Sequence, residues 1–262
     1  LNPIKITYEA LISYFVYTSS LKMLEKDIVY RLEEQASHTM DKIDQMFFWR
    51  YADMPITNIS EELKNILERI SGMCFKAESV LNLCIDGFMN HKEDLIDRAQ
   101  EQIVSMGDEG NQLRKLLSNK AAERTANKEH IKFLLATLSS IGLALNGLDS
   151  ISRHIRFKIC EKIIFSDKGF NEIRYIFNAS LDILKTAGDT LANRNEIFMK
   201  HVVDKSTHLE KLAAQYAEKH EERLITGECP PEASPVYVNI VDSILTVVWH
   251  IKKAVTRLFG QW

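Results

Sequence analysis

Between Ile56 and Cys229 the chain has no proline; its five prolines stand at positions 3, 55, 230, 231 and 235. A proline inside a helix removes a hydrogen bond and clashes with the preceding turn, at about 3 kcal/mol. So long a stretch without one permits very long helices. Its apolar residues recur in steps of three and four: Leu63, Ile66, Leu67, Ile70, Met73, Cys74, Ala77, Val80, Leu81, Cys84, Ile85 and Phe88. That spacing keeps them on one face of a helix but scatters them over both faces of a strand, so it selects helix. Asn58 followed by Glu61 resembles a capping box ahead of the run, and Asn90-His91 gives a break near its end. The pattern predicts one helix over about 60 to 89, on the order of 45 Å long.

The same reading predicts helices near 92 to 126, 128 to 162, 169 to 192, 194 to 225 and 235 to 259, with a break at Ser166-Asp167-Lys168-Gly169. Two successions of three helices look like two copies of one unit. The expected organisation is all-α: an N-terminal long helix and linker (1–56), a first three-helix unit (57–164) and a second (165–262). Thr226 to Pro235 (TGECPPEASP) is the Gly/Pro-rich linker after residue 56, setting the last helix apart. Residues 5 to 48 carry a further helical pattern (Leu11, Tyr14, Phe15, Leu21, Leu24, Ile28, Leu32). One amphipathic helix cannot bury its own apolar face, so this segment is expected to pack on the two units or on something upstream.

The formal net charge of −3 argues against a general nucleic-acid binder, which needs clustered Lys and Arg. Cys74, Cys84, Cys160 and Cys229 lie far apart with no CxxC pair, which fits buried, reduced thiols better than a disulfide framework or a zinc site. The longest charge-free stretch, Phe133 to Leu148, is shorter than the roughly 20 apolar residues of a bilayer span, so no transmembrane segment is expected. The sequence opens at Leu1 without a methionine and without a basic-then-apolar leader pattern, which fits a trimmed chain or the tail of a longer one.

His220 to Arg257 carries a helix ending in His220 and Arg223-Leu224, a turn with Gly227, Cys229 and Pro230, then a helix opening on Val236-Tyr237 and carrying His250. This succession resembles the PhoU family of phosphate-uptake regulators. Asn146 to Ile155 of the first unit is similar, with Leu148, Asp149, Ile151 and His154 in register. The resemblance covers about 60 to 259 and implies a PhoU-like antiparallel helical bundle. The leading segment, with Leu24-Glu25, resembles the third helix of a preceding unit, as in the cytosolic tail of bacterial sodium/phosphate cotransporters. What the resemblance implies is a non-catalytic cytoplasmic module, at the cytoplasmic face of the inner membrane, that regulates phosphate uptake by protein–protein coupling. Its implied partners are a phosphate transporter or its membrane part, a sensor kinase, and a second copy of the chain. A free-standing PhoU-like regulator and a metal-binding helical bundle are the alternative readings.

In the family, Glu-x-x-x-Asp pairs set two carboxylates on one helix face where they share metal ions. Here the pairs in the two third helices become Asp149 with Arg153 and Leu245 with Trp249; in the second helix of unit two the pair reads Ser206 and Glu210, and in unit one Glu101 is the nearest candidate. A guanidinium repels a cation and Leu or Trp offers no oxygen, so the metal candidates reduce to Asp149, Glu210 and Glu101. No cofactor is expected, and at most weak divalent or iron/zinc binding. No histidine has Glu or Asp three residues before it, as a di-iron bundle requires. Asp204, His201 and His208 share a face and permit only a weak site. The sequence carries no GxSxG, HExxH, GxxxxGK[ST] or GxGxxG signature. In the last helix Lys252, Lys253 and Arg257 interleave with Trp249, Val255, Leu258, Phe259 and Trp262, which suits a core stripe with a solvated basic back, or contact with anionic lipid or a partner.

Overall fold

A computed structural model describes residues 59–123 and 127–259. The predicted N-terminal helix over 5 to 48, with Asn58, Trp262 and the first domain boundary, lies outside the described residues. Among the described residues six α-helices run α1 (Glu61–Asn90), α2 (Glu93–Ala121), α3 (Lys128–Cys160), α4 (Asp167–Asn193), α5 (Glu196–Ile225) and α6 (Ser234–Leu258), with a 3₁₀ turn at Pro231–Ala233 before α6. No strand occurs among the described residues. The all-α reading holds, and helix boundaries fall within a few residues of those the sequence predicts.

The ends of the helices follow from local chemistry. At α1 the N-cap is Ser60, without a side-chain cap bond, and Glu61 and Glu62 sit in the first turn, where the helix dipole favours negative charge. The cap thus falls on Ser60 rather than on Asn58. Asn127, Ser166 and Asn195 cap α3, α4 and α5 with side-chain oxygens that accept from His130, Gly169 and Ile197 backbone N–H groups. α1 and α4 both stop at a residue in the left-handed region, His91 (φ 53) and Arg194 (φ 51), each after an asparagine. The Asn90-His91 break is therefore real, and Asn193-Arg194 is its counterpart.

Packing is concentrated in the middle of the bundle. α1, α2 and α3 pack on one another, as do α4, α5 and α6; across the two sets, α3 lies against α6 and α1 against α4. Both cross pairs run antiparallel: Ser71 on α1 reaches the Gly188 carbonyl on α4, and Arg257 on α6 reaches the Ala136 carbonyl on α3. The result is a central layer of α1, α3, α4 and α6, with α2 on one flank and α5 on the other. Their exposure follows this arrangement. α2 buries a thin stripe (Ile96, Ala99, Met106, Leu113, Leu117), whereas α3 and α6 bury residues around much of their circumference.

By length and composition α3 and the Pro231–Leu258 stretch are apolar enough to cross a membrane, which the charge-free stretch alone did not suggest. They are also the two helices packed face to face at the bundle centre, and that is where a core of this size needs continuous apolar surface. Cysteine placement departs from expectation at one position: Cys74, Cys84 and Cys229 are buried but Cys160 is exposed at the end of α3. Burial pushes the Cys74 and Cys84 thiols up to about 12, so both are inert at neutral pH.

Candidate functional site

Helix alternation brings the C-terminus of α5, the N-termini of α4 and α6 and the two longer connections to one end of the bundle. There the Glu172 carboxylate, in the first turns of α4, accepts two hydrogen bonds from Arg223 of α5, at 2.9 and 2.6 Å, and one from the Tyr237 hydroxyl of α6, at 2.8 Å. Arg223 is 6% exposed and Glu172 9%. A buried charge is tolerated only when paired and hydrogen-bonded, and here one carboxylate serves three helices at once. Burial disfavours the Arg223 charge, but the two bonds it donates to the Glu172 carboxylate outweigh it and hold the guanidinium more basic than usual.

His220, one turn before Arg223, stacks on the Tyr237 ring with centroids 4.2 Å apart. Its Nε2 lies 3.0 Å from Ser234 Oγ and its Nδ1 3.9 Å from Cys229 Sγ. Burial, with Arg223 nearby, lowers its pKa. The connection itself folds back over α5: the N–H groups of Glu228 and Cys229 both donate to the Arg223 carbonyl, at 2.9 and 3.1 Å. Gly227 permits this with φ of 74°, a conformation that costs a side-chain-bearing residue about 1–2 kcal/mol. Cys229 is hydrogen-bonded to the Ser166 hydroxyl at the start of α4, and burial raises its pKa, so it acts as a packed sulfur rather than a nucleophile.

Of the residues that carry the family resemblance in the second unit, His250 stands apart beside Lys253 and Arg257, while His220, Arg223, Gly227, Cys229 and Tyr237 thus gather into one knot holding α4, α5, α6 and the 226–233 connection together. Its hub, Glu172, is not part of that pattern. The signal was present: Glu172 falls on the same helix face as Gly169, Ile173 and Ile176, a carboxylate interrupting an apolar stripe. Lys158, which extends the stripe of Ile151 and Ile155 on α3, is the parallel case. It is 2% exposed, its ammonium 4.9 Å from the Phe88 ring centroid and 5.7 Å from that of Phe165, with His91 Nδ1 at 3.3 Å. Burial lowers its pKa. Phe165 also meets Tyr237 edge to face at 6.3 Å, so the two clusters adjoin.

The metal candidates go to separate partners. Asp149 pairs with Arg153 on its own helix at 3.1 Å, Glu210 on α5 with Lys252 on α6 at 2.7 Å, and Glu101 is exposed on α2. Among the described residues no group of three or more His, Cys, Asp or Glu comes close enough to hold a metal ion. Of the face shared by His201, Asp204 and His208, only His201 finds a carboxylate, Asp182 at 3.6 Å. The donor set therefore does not fit a shared metal centre. Adding a chelator is expected to leave the melting temperature unchanged; a drop of several degrees on chelation would reverse this reading.

The basic residues of α6 are engaged rather than solvated. Lys252 binds Glu210, Lys253 lies 4.3 Å from the Trp249 ring centroid, and Arg257 donates to the Ala136 carbonyl and to Ser140 Oγ, at 3.0 and 2.8 Å. The helix is thus a core element, as one of the two sequence readings has it, and two of its part-exposed cations, Lys252 and Arg257, also tie it to α5 and α3. His250, beside them, has a buried Nδ1 with no hydrogen-bond partner, and burial with Lys253 and Arg257 lowers its pKa to about 4. A group depressed in the folded state stabilises fully above its unfolded pKa near 6.5 and loses that contribution as pH falls towards 4. Allowing for solvent screening of a half-buried ring, the expected loss is roughly 1–2 kcal/mol. His250→Phe should therefore flatten the melting temperature between pH 6.5 and 4; an unchanged slope would remove His250 as its source.

No protein-family model and no curated protein matches this sequence. Among solved structures, the crystal structure of PhoU from Pseudomonas aeruginosa is similar: TM-score 0.63, 14% sequence identity, with 76% of this chain and 94% of that chain covered. At that identity the likeness is one of architecture, and the described helices therefore have a PhoU-like fold.

Proposed function

We propose that this chain is a non-catalytic regulator of phosphate uptake that acts through contacts with a transport protein. The observation that supports it best is the fold likeness, which accounts for 94% of the PhoU chain. We read residues 57–164 and 165–262 as the two copies of the three-helix unit, and the knot around Glu172 as the fixture that gives the second copy its shape. In the fuller form of the proposal, the chain works at the cytoplasmic face of a membrane as part of a sodium/phosphate cotransporter. The near-complete coverage of PhoU itself favours a second form, a free-standing regulator of a phosphate transporter or its sensor kinase.

Cells from which the gene has been deleted should take up phosphate at a changed rate when external phosphate is abundant, and a plasmid copy should restore the parental rate. Uptake that is identical with and without the chain, in both phosphate-rich and phosphate-poor medium, would end the proposal. Co-purification with a membrane fraction rich in phosphate transporter separates the transporter-bound form from coupling to a kinase.

A further inference from the structure

The outer side of the α4–α5 pair carries a concavity of about 600 Å³ whose walls include Asn171, Arg174, Tyr175 and Asn178 of α4 and Tyr216 of α5, with Glu172 at its floor. A smaller concavity follows along the same helix pair, bounded by Tyr175, Asp182, Lys205 and His208. Tyr175 lines both. From Asn171 to Asp182 the two together span about 16 Å along α4, the length of about five residues of extended chain.

Its hydrogen-bonding groups are uncommitted. The Asn171 and Asn178 carboxamides, the Arg174 guanidinium and the Tyr175 and Tyr216 hydroxyls make no hydrogen bond or ion pair with any described residue. Asn171, Tyr175 and Asn178 stand at i, i+4 and i+7, on one face of α4. The two carboxamides are thus about 10 Å apart along the axis. On one edge of an extended peptide, the N–H of a residue and the C=O of the residue two further on are separated by about 9–10 Å. A carboxamide both donates and accepts, so the pair suits main-chain readout, with the tyrosines flanking the peptide's side chains.

Charge narrows the occupant. Glu172 is neutralised by Arg223, and Asp182 is shared between His201 and Lys205, at 3.6 and 3.9 Å. Arg174 is left over as a cation on the lip of the groove, whereas Lys205, further along, is paired with Asp182. Tyr and Arg lining a solvent-facing channel are residue types that favour contact with another chain.

We propose that the α4–α5 groove binds an extended, acidic segment of a partner protein, its main chain held by Asn171 and Asn178 and an acidic side chain by Arg174. This deepens the regulatory reading by naming the kind of segment recognised, and rests on that reading only for the identity of the partner.

Panning a phage-displayed random heptapeptide library on the intact chain should enrich a family with Asp or Glu at one fixed position. The best synthetic heptapeptide should bind at least tenfold more weakly to the Asn171→Ala/Asn178→Ala double variant. Arg174→Glu should abolish the preference for the acidic residue, with circular dichroism unchanged in every variant. Methylating one backbone nitrogen of the peptide should also weaken binding at least tenfold. No enriched family, or peptides that bind the double variant as tightly as the parent, would overturn the proposal. Phosphate uptake is measured separately with the same double variant and with the deletion strain: lost peptide binding with uptake altered only by the deletion would leave the groove assignment standing but overturn its part in regulation, and uptake altered by neither would sink the regulatory function itself.

Discussion

Replacing Glu172 with alanine is expected to lower stability by about 3–5 kcal/mol, which for a chain of this size corresponds to a melting temperature lower by roughly 10 °C. The size of the effect comes from what is left behind. Arg223 would keep its charge at 6% exposure with no carboxylate in reach, and the Tyr237 hydroxyl would lose its acceptor. An unpaired buried charge costs far more than the pair contributed while intact. Glu172→Gln should be milder, since a carboxamide oxygen still accepts from Tyr237. Removing both charges, as Glu172→Leu with Arg223→Met, should recover much of the loss, because apolar side chains of similar volume replace a buried pair at little net cost. Thermal melts followed by circular dichroism on the three variants decide the matter. If the double variant melts no higher than Glu172→Ala, the loss comes from packing and not from the stranded guanidinium.

Limited proteolysis adds a local reading. The 226–233 connection is tied down through Cys229, His220 and Ser234, all of which depend on the position of α5 and α6 beside Tyr237. In Glu172→Ala it should become the first site cleaved, ahead of the 161–166 connection, because local opening follows the element that has lost its buried contacts.

The helices were legible because two independent signals agreed: no proline between Ile56 and Cys229, and an apolar period of three and four residues throughout. Their ends are legible where the sequence marks a break, at Asn90-His91, where a left-handed residue stops α1, and at Ser166, whose side chain caps α4; Arg194 and Asn195 carry no such mark. Periodicity says which face of a helix turns inward, and it is silent on which charge will meet which. Arg223, Tyr237 and His220 stand out in the sequence only through the family resemblance, and Glu172, the carboxylate that joins them, lies outside that pattern. The same limit explains α6. Lys252, Lys253 and Arg257 look from sequence like a solvated back, yet Glu210 reaches Lys252 from α5 and the Ala136 carbonyl reaches Arg257 from α3. Both partners lie more than 40 residues away in sequence, a distance over which local patterns carry no information. The metal candidates Asp149, Glu210 and Glu101 were likewise chosen by register within single helices, whereas convergence on an ion depends on the relative rotation of several.

The second large effect is expected at Gly147, and its sign sets it apart from other glycines. In the interior of a helix, glycine to alanine normally stabilises by about 1 kcal/mol. At Gly107, where an added Cβ meets nothing within 4 Å, Gly107→Ala should show that gain. At Gly147 the added carbon would stand 2.7 Å from Val247 Cγ2, 3.1 Å from the Ser243 carbonyl oxygen and 3.3 Å from the Val247 amide nitrogen. Two of these are backbone atoms of α6, and Val247 is fully buried, so neither rotation nor retreat of a side chain relieves the contact. The residues around Gly147 on the same face of α3 are small as well, Thr137, Ser140 and Ala144, all buried. They let the two central helices approach closely, and a larger side chain must part them along much of their length. Gly147→Ala should therefore lose stability where Gly107→Ala gains it, and Gly147→Leu should cost about 3 kcal/mol or more, at or beyond the upper end of overpacking penalties. Denaturant titration of the three variants tests the idea through the midpoint and the slope together. A Gly147→Leu protein as stable as the parent would mean that α3 and α6 can part without loss, and the close helix pair could not be the centre of this fold.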